Sequence, residues 1–152
     1  MTTPDTAESS AIDRMKLTDL SQVQILTLQL GYEATVDEIR ERFRKIDALS
    51  THALFVARDA EGKTVGYVHI FREMETLLSG ERAELHTLVV DESVRGRKFG
   101  TQLLIKAETW AKSQGVNSIR LRSNISREDA HRFYLRHGYE TQKTSYTFIK
   151  TV

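Results

Sequence analysis

The stretch "VRGRKFGTQLL" (Val94–Leu104) sets Arg95, Arg97 and Lys98 among the glycines Gly96 and Gly100, just ahead of an apolar helical pattern. Leu103, Leu104, Ala107, Trp110 and Ala111 recur at helical spacing, so the pattern predicts a helix over Gly100–Gln114, stopped by Gly115. A basic, glycine-punctuated turn that feeds a helix suits an anion, and phosphate first. The N–H groups at a helix start have no intrahelical acceptor, the helix dipole favours negative charge there, and glycine lets a backbone come close. A plain basic surface turn has the same composition, so the neighbouring sequence decides.

Upstream, "AELHTLVV" (Ala83–Val90) reads as a strand. "ALFVAR" (Ala53–Arg58), "AEGK" and "TVGYVHIF" (Thr64–Phe71) read as strand, tight turn and strand, with Arg72–Arg82 as a loop. "TVDE" (Thr35–Glu38) is a capping box opening a helix through Ile39, Phe43 and Ile46. A preceding helix, with Thr18 as its cap, carries Leu20, Val23, Ile25, Leu26 and Leu30 and stops at Gly31; Ile12–Leu17 alternates as a first strand. Residues 1–10 are small and polar and read as a disordered tail, leaving 11–152 as one domain. Downstream, "SIRLRS" (Ser118–Ser123) alternates as a strand and Ser126 of "SRED" opens a helix bearing Ala130, Phe133, Tyr134 and His137. "TSYTFIK" (Thr144–Lys150) reads as a final strand. Hairpins mixed with strand–helix–strand crossovers give an α/β fold with a mixed sheet.

Composition narrows the classes. Of 152 residues, 39% are hydrophobic and 28% charged, as in a soluble globular domain. No apolar run is long enough to span a membrane, and no signal-peptide core is present. With zero cysteines there is no disulfide, no thiolate metal site and no cysteine nucleophile, which fits a cytoplasmic setting. A net charge of +1 makes no case for nucleic acid as partner. Charge is unevenly spread: residues 1–91 hold 10 Lys and Arg against 16 Asp and Glu, whereas 92–137 hold 10 against 4. This reads either as two solvated faces of opposite sign or as an anionic ligand held by the second half with a cationic one received by the first.

The strand "LHTLVV", the turn "VRGRKFG", a helix, the strand "IRLRSN" and the helix "AHRFYLRHGY" occur in that order, and this succession resembles the GNAT superfamily of acyl-coenzyme A-dependent N-acetyltransferases. The strongest match covers Ala83–Tyr139. The resemblance implies a mostly antiparallel mixed sheet of about six or seven strands, about four flanking helices, and a splay between the fourth and fifth strands. The family's pyrophosphate signature, [Q/R]-x-x-G-x-[G/A], reads here Arg95-Gly96-Arg97-Lys98-Phe99-Gly100, with Lys98 where the family has its central glycine. Lysine at a negative φ would still present its N–H, so acetyl-CoA is the implied co-substrate. Its pyrophosphate is expected on the backbone of Arg95, Gly96, Arg97, Lys98, Phe99, Gly100 and Thr101, and its pantetheine arm on the backbone of Leu88, Val89 and Val90 and on Asn124.

Glu84 and His86 lie two apart on one strand, so a regular strand would place them on one face with Leu88 and Val90. Acetyl transfer needs a neutral amine, and a carboxylate on this strand is a suitable base. The resemblance makes Glu84 the candidate base, His86 the second candidate, and Tyr134 the acid for the departing thiolate. The structural alternatives are a strand-end salt bridge for Glu84, a half-buried hydrogen-bonded imidazole for His86, core packing for Tyr134 and a turn role for Asn124. His52, His69, His131 and His137 show no metal-ligand spacing, so no metal is expected. "AHRFYLRHGYE" (Ala130–Glu140) resembles small-molecule amine acetyltransferases, the aminoalkylphosphonate N-acetyltransferases among them. The implied acceptor is a small primary amine, with a protein or peptide amine as the alternative, and a homodimer is possible. A non-catalytic acyl-CoA-binding sensor is the competing class.

Overall fold

The computed structural model describes residues 12–77 and 80–152; the expected disordered tail, 1–10, lies outside them. The chain forms two compact units, one running through Leu121 and the other comprising Arg122–Val152.

The first unit holds one five-stranded sheet in the order β1 (Ile12–Arg14), β2 (His52–Arg58), β3 (Thr64–Met74), β4 (Glu81–Val90), β5 (Ile119–Leu121). The first four pair antiparallel and β5 joins β4 in parallel, so the sheet is mixed. The helices are α1 (Leu20–Gln29), α2 (Val36–Asp47) and α3 (Phe99–Ser113), with α4 (Glu128–Arg136) in the second unit. Among the described residues four helices match the expectation, but five strands replace the expected six or seven. The missing strand is Thr144–Lys150, which forms none and whose Tyr146, Phe148 and Ile149 are exposed. The expected Arg72–Arg82 loop is shorter, because β3 runs on to Met74 and β4 begins at Glu81, with Glu73 opposite Arg82.

Local chemistry explains the helix starts. Thr35 Oγ1 accepts from Glu38 N–H (3.1 Å) while Glu38 Oε2 accepts from Thr35 N–H (2.8 Å), the reciprocal capping box read from the sequence. Thr18 is not the cap of α1. It lies inside a 3-10 turn, Leu17–Asp19, whose opening Lys16 N–H is taken by Asp19 Oδ2 at 2.7 Å. Buried Asp19 also accepts from Arg58 and from the Thr64 hydroxyl, tying the β1–α1 turn to β2 and β3.

One sheet face packs Leu54, Val56, Tyr67 and Val89 against Leu20, Val23 and Leu26 of α1 and Ile39 and Phe43 of α2. The other meets the buried α3 stripe of Leu103, Leu104, Ala107, Trp110 and Ala111, the stripe predicted from sequence. Gly66 permits this second contact. A Cβ there would sit 2.9 Å from Val89 O and 3.0 Å from Leu103 Cδ1. Among the described residues no helix is long and apolar enough to cross a membrane.

Because backbone lies on one side of that position, Gly66→Ala forces β3, β4 and α3 apart. The expected loss is about 1–3 kcal/mol of stability, read as a lower urea midpoint with an unchanged denaturant slope.

Candidate active site

β4 is paired along its whole length on one side and over only three residues on the other. Gly66↔Val90 through Met74↔Glu81 join it to β3, whereas β5 matches only Ala83, Glu84 and Leu85 with Ile119, Arg120 and Leu121. Beyond Leu85 no strand among the described residues pairs with β4 on its β5 side, next to the place where the family resemblance implies a splay.

The pairing with β3 also slips by one residue: Ile70 is opposite Leu85 and His69 opposite Thr87, so His86 is an inserted residue, a β-bulge. The expectation that Glu84, His86, Leu88 and Val90 share a face therefore fails. Glu84 is opposite Phe71 and Val89 opposite Tyr67, on the α1–α2 side, while Leu88 and Val90 fall opposite Val68 and Gly66, on the α3 side. A bulge shifts the two-residue alternation by one, and no apolar/polar pattern in "ELHTLVV" announces it.

Glu84 is buried, 6% exposed, and its Oε2 accepts from Arg120 Nε at 2.7 Å. Arg120 also donates to Glu73 (2.9 Å), and Arg82 donates to Glu73 (3.2 Å) and Glu75 (3.0 Å). Acid and guanidinium thus alternate across the ends of β3, β4 and β5. Burial alone would lower the Arg120 pKa, but the Glu84 hydrogen bond and the charges of Glu84, Glu73 and Glu75 outweigh it and raise the value. The salt-bridge alternative for Glu84 is therefore realised in the geometry.

Three histidines that look scattered in sequence meet on this face. His52 Nδ1 and His69 Nε2 are 2.9 Å apart, the His69 and His86 rings are 5.3 Å apart, and Phe71 stacks on His52 at 4.8 Å. Exposed His86 also meets the Thr87 hydroxyl at 3.0 Å. The hairpin turning at "AEGK" places His52 opposite Phe71 and Leu54 opposite His69, which makes the two histidines diagonal neighbours. That register was the available sequence signal. Burial, then the nearby His86 and His52, lowers the His69 pKa to about 3, and burial followed by His86 lowers that of His52. Among the described residues no group of three acidic or histidine side chains is arranged to hold a metal.

At the basic turn, Gly96 has φ +86° and Lys98 φ +69°, the latter immediately ahead of α3. The negative φ at which Lys98 would present its N–H without strain is thus not adopted. Among the described residues it is the non-glycine with positive φ, at the position where the family resemblance calls for glycine. Two left-handed residues flank Arg97, whose N–H donates to Val94 O at 3.3 Å, and the side chains of Arg95, Arg97 and Lys98 are exposed.

In the second unit, Ser126 is not the helix cap. Arg127 takes that place without a side-chain bond, and Ser126 N–H and hydroxyl both donate to Asn124 Oδ1 at 2.9 and 2.7 Å. Asn124 therefore fills the turn role named as its alternative. Tyr134 is half-buried in α4, with its ring 5.3 Å from Phe133 and 5.7 Å from Tyr139. Burial raises its pKa, against an opposing pull from Arg127, so the phenol keeps its proton at neutral pH.

The family model described as "Acetyltransferase (GNAT) family" matches residues 21–139. The chain belongs to that family. An aminoalkylphosphonate N-acetyltransferase of Salmonella typhimurium is 38% identical to this GNAT chain over 86 residues, 57% of this chain and 56% of that protein. The chain thus spans about half the length of the curated relatives it matches. Among solved structures, a transcriptional regulator of Bacillus halodurans C-125 superposes with TM-score 0.81 at 25% identity, covering 91% of this chain and 98% of that one. A glucosamine-6-phosphate N-acetyltransferase of Arabidopsis thaliana gives 0.80 at 21% identity, covering 91% and 96%.

Two outcomes follow. A left-handed lysine costs about 1–2 kcal/mol, of which glycine returns part to chain flexibility; Lys98→Gly should stabilise the GNAT fold by about 0.5–1 kcal/mol in urea, and Lys98→Ala should not. His69 is depressed below its unfolded value, so its contribution is complete above pH 6.5 and shrinks as pH falls towards 3. Between pH 7.5 and 5 the parent should lose about 2 kcal/mol on this account, and His69→Gln should lose correspondingly less.

Proposed function

We propose that the chain is an acetyl-CoA-dependent N-acetyltransferase that moves an acetyl group to a primary amine by direct attack. The observation that carries this reading is the juxtaposition, in one unit, of a half-unpaired β4 with a left-handed basic turn at the start of α3. A bulged strand with one open edge offers the outward-facing backbone N–H and C=O groups of Leu88 and Val90, on either side of Val89, to an amide-bearing arm such as pantetheine. The turn from Arg95 to Thr101 supplies N–H groups and cations for a pyrophosphate. Asn124 is a further pantetheine contact on this reading.

The chemistry asks for three things of the protein. A backbone N–H of β4 stabilises the oxyanion formed when nitrogen attacks the acetyl carbonyl. A base takes the proton lost by the attacking nitrogen. An acid gives a proton to the thiolate as the C–S bond breaks, and Tyr134, holding its proton, suits this step. Glu84 is the proposed base, acting directly or through a water. Because Arg120 engages its Oε2, His86, exposed on the same strand, is the second candidate. Without a cysteine, no acyl-cysteine forms on the way.

A small amine is the proposed acceptor, supported by the name of the Salmonella relative and the "AHRFYLRHGYE" segment; a protein or peptide amine is the alternative. The strained lysine and the paired Glu84 favour a second reading, an acyl-CoA-binding module without turnover.

Donor binding stabilises the native fold by about 2.7 kcal/mol at a hundredfold excess over Kd. Acetyl-CoA and desulfo-CoA should both raise Tm, and an unresponsive Tm would remove both readings. Thiol release with a panel of amines separates them, since binding without turnover selects the sensor. In a turning-over enzyme Glu84→Gln should lose about 10²–10⁴ in kcat, less at high pH where the amine is already neutral. If Glu84→Gln keeps parental turnover, the role passes to His86 or solvent.

A further inference from the structure

Four rings of the first unit meet on one face of its sheet, just past the apolar core. That core is Leu54, Val56, Tyr67 and Val89, packed by α1 and α2. Next on the same face come His52 of β2, His69 and Phe71 of β3 and His86 of β4, the first three half-buried and His86 exposed. Ring centroids lie 4.8 Å apart for His52 and Phe71, 5.2 Å for His52 and His69 and 6.3 Å for Phe71 and His86, the separations of interacting aromatic pairs. A ring cluster open to water has area still to bury. The charges beside it say what kind of molecule suits it. Glu73, Glu75 and Glu84 meet Arg82 and Arg120, three carboxylates to two guanidiniums. Each guanidinium is already held twice, Arg82 by Glu73 and Glu75, Arg120 by Glu73 and Glu84. Burial lowers the pKa of both His69 and His52, which leaves these rings uncharged at neutral pH. This face thus presents ring surface and surplus negative charge, with both of its guanidiniums engaged.

We propose, on the acetyltransferase reading, that this ring cluster seats the body of the acceptor and that the acceptor is an arylalkylamine: one aromatic ring on a short tether to a primary amine, with no anionic group. The strand register supplies the geometry. Phe71 is directly opposite Glu84, and the His86 ring is the one 6.3 Å from it, so both candidate bases adjoin the phenyl ring. An aromatic ring resting against Phe71 and His52 brings its tethered amine to them. The ammonium arrives in surplus negative charge, in keeping with the 16 acidic against 10 basic residues of 1–91. A phosphonate would meet carboxylates whose counterions are already taken, and such a mismatch selects against it. The acceptor class thus departs from the one in the name of the Salmonella relative.

Proton NMR titration of the full chain, reading the imidazole Hε1 signals of His52, His69 and His86, tests this without turnover. The probes are 2-phenylethylamine, 2-aminoethylphosphonate and butylamine, each added with and without desulfo-CoA. The expected result is a saturable shift of the His52 and His69 signals by 2-phenylethylamine, at an affinity at least about tenfold above those of the other two amines. Phe71→Leu, which keeps apolar volume and removes the ring, should weaken 2-phenylethylamine by about two- to tenfold and leave butylamine unchanged. His52→Leu makes the same test from β2 should Phe71→Leu not fold. Absence of a saturable shift under both conditions would overturn the proposal. So would equal or tighter binding of 2-aminoethylphosphonate or butylamine, or 2-phenylethylamine binding that neither variant weakens. The acetyltransferase reading fails on a different measurement, a Tm unresponsive to acetyl-CoA, so a chain that answers the donor and ignores 2-phenylethylamine loses this proposal alone.

Discussion

The single inserted residue in β4 is the constraint on which the site depends. In a regular strand Glu84 and Val89, an odd number of positions apart, point to opposite faces. Here both face α1 and α2, Val89 in the apolar core and Glu84 opposite Phe71, because His86 takes up the extra half-period. A bulge also increases local twist, and it falls just past Leu85, where β5 stops following β4. Beside the insertion the His86 ring lies 5.3 Å from that of His69. The parity of Glu84 and Val89 is thus the result of one backbone irregularity, and the end of the β5 pairing falls next to it.

The two ends of this arrangement treat backbone freedom differently. Gly66 is needed for space: the close approach of α3 to β3 and β4 leaves no room for a Cβ. At Lys98 the neighbouring N–H geometry requires a left-handed residue, and the chain supplies one that adopts that conformation at a cost. Strain of this kind persists only where surrounding structure over-determines it. Asp91 is part of that support: its side chain accepts from Ser93 and its N–H donates to Val65 O, anchoring the segment between β4 and the turn to β3.

Features governed by local chemistry were legible in the sequence. The capping box at Thr35, the α3 stripe, the "AEGK" hairpin and the basic turn each rest on residues within a few positions of one another. Features governed by partners were not. The bulge at His86 is a one-residue slip of β4 against β3, and nothing in "ELHTLVV" marks it. "TSYTFIK" has the composition of a strand but forms none. Ser126 lost the cap to its own bonds with Asn124, a local competition that a capping pattern does not resolve. The candidate base was identifiable by position, whereas the arginine across from it required the parallel register of β5.

The contact between His52 Nδ1 and His69 Nε2 has a consequence for where protons reside. Two neutral imidazoles can share such a contact only if one nitrogen carries hydrogen and the other a lone pair. If His52 donates, the His69 proton is on Nδ1; if His69 donates, the His52 proton is on Nε2. Each ring's tautomer therefore dictates the other's, and a shift at one end of the pair reverses the donor and acceptor faces offered at the far end. Because His69 stays uncharged well below neutral pH, this pair can change its hydrogen-bonding pattern with no change in net charge.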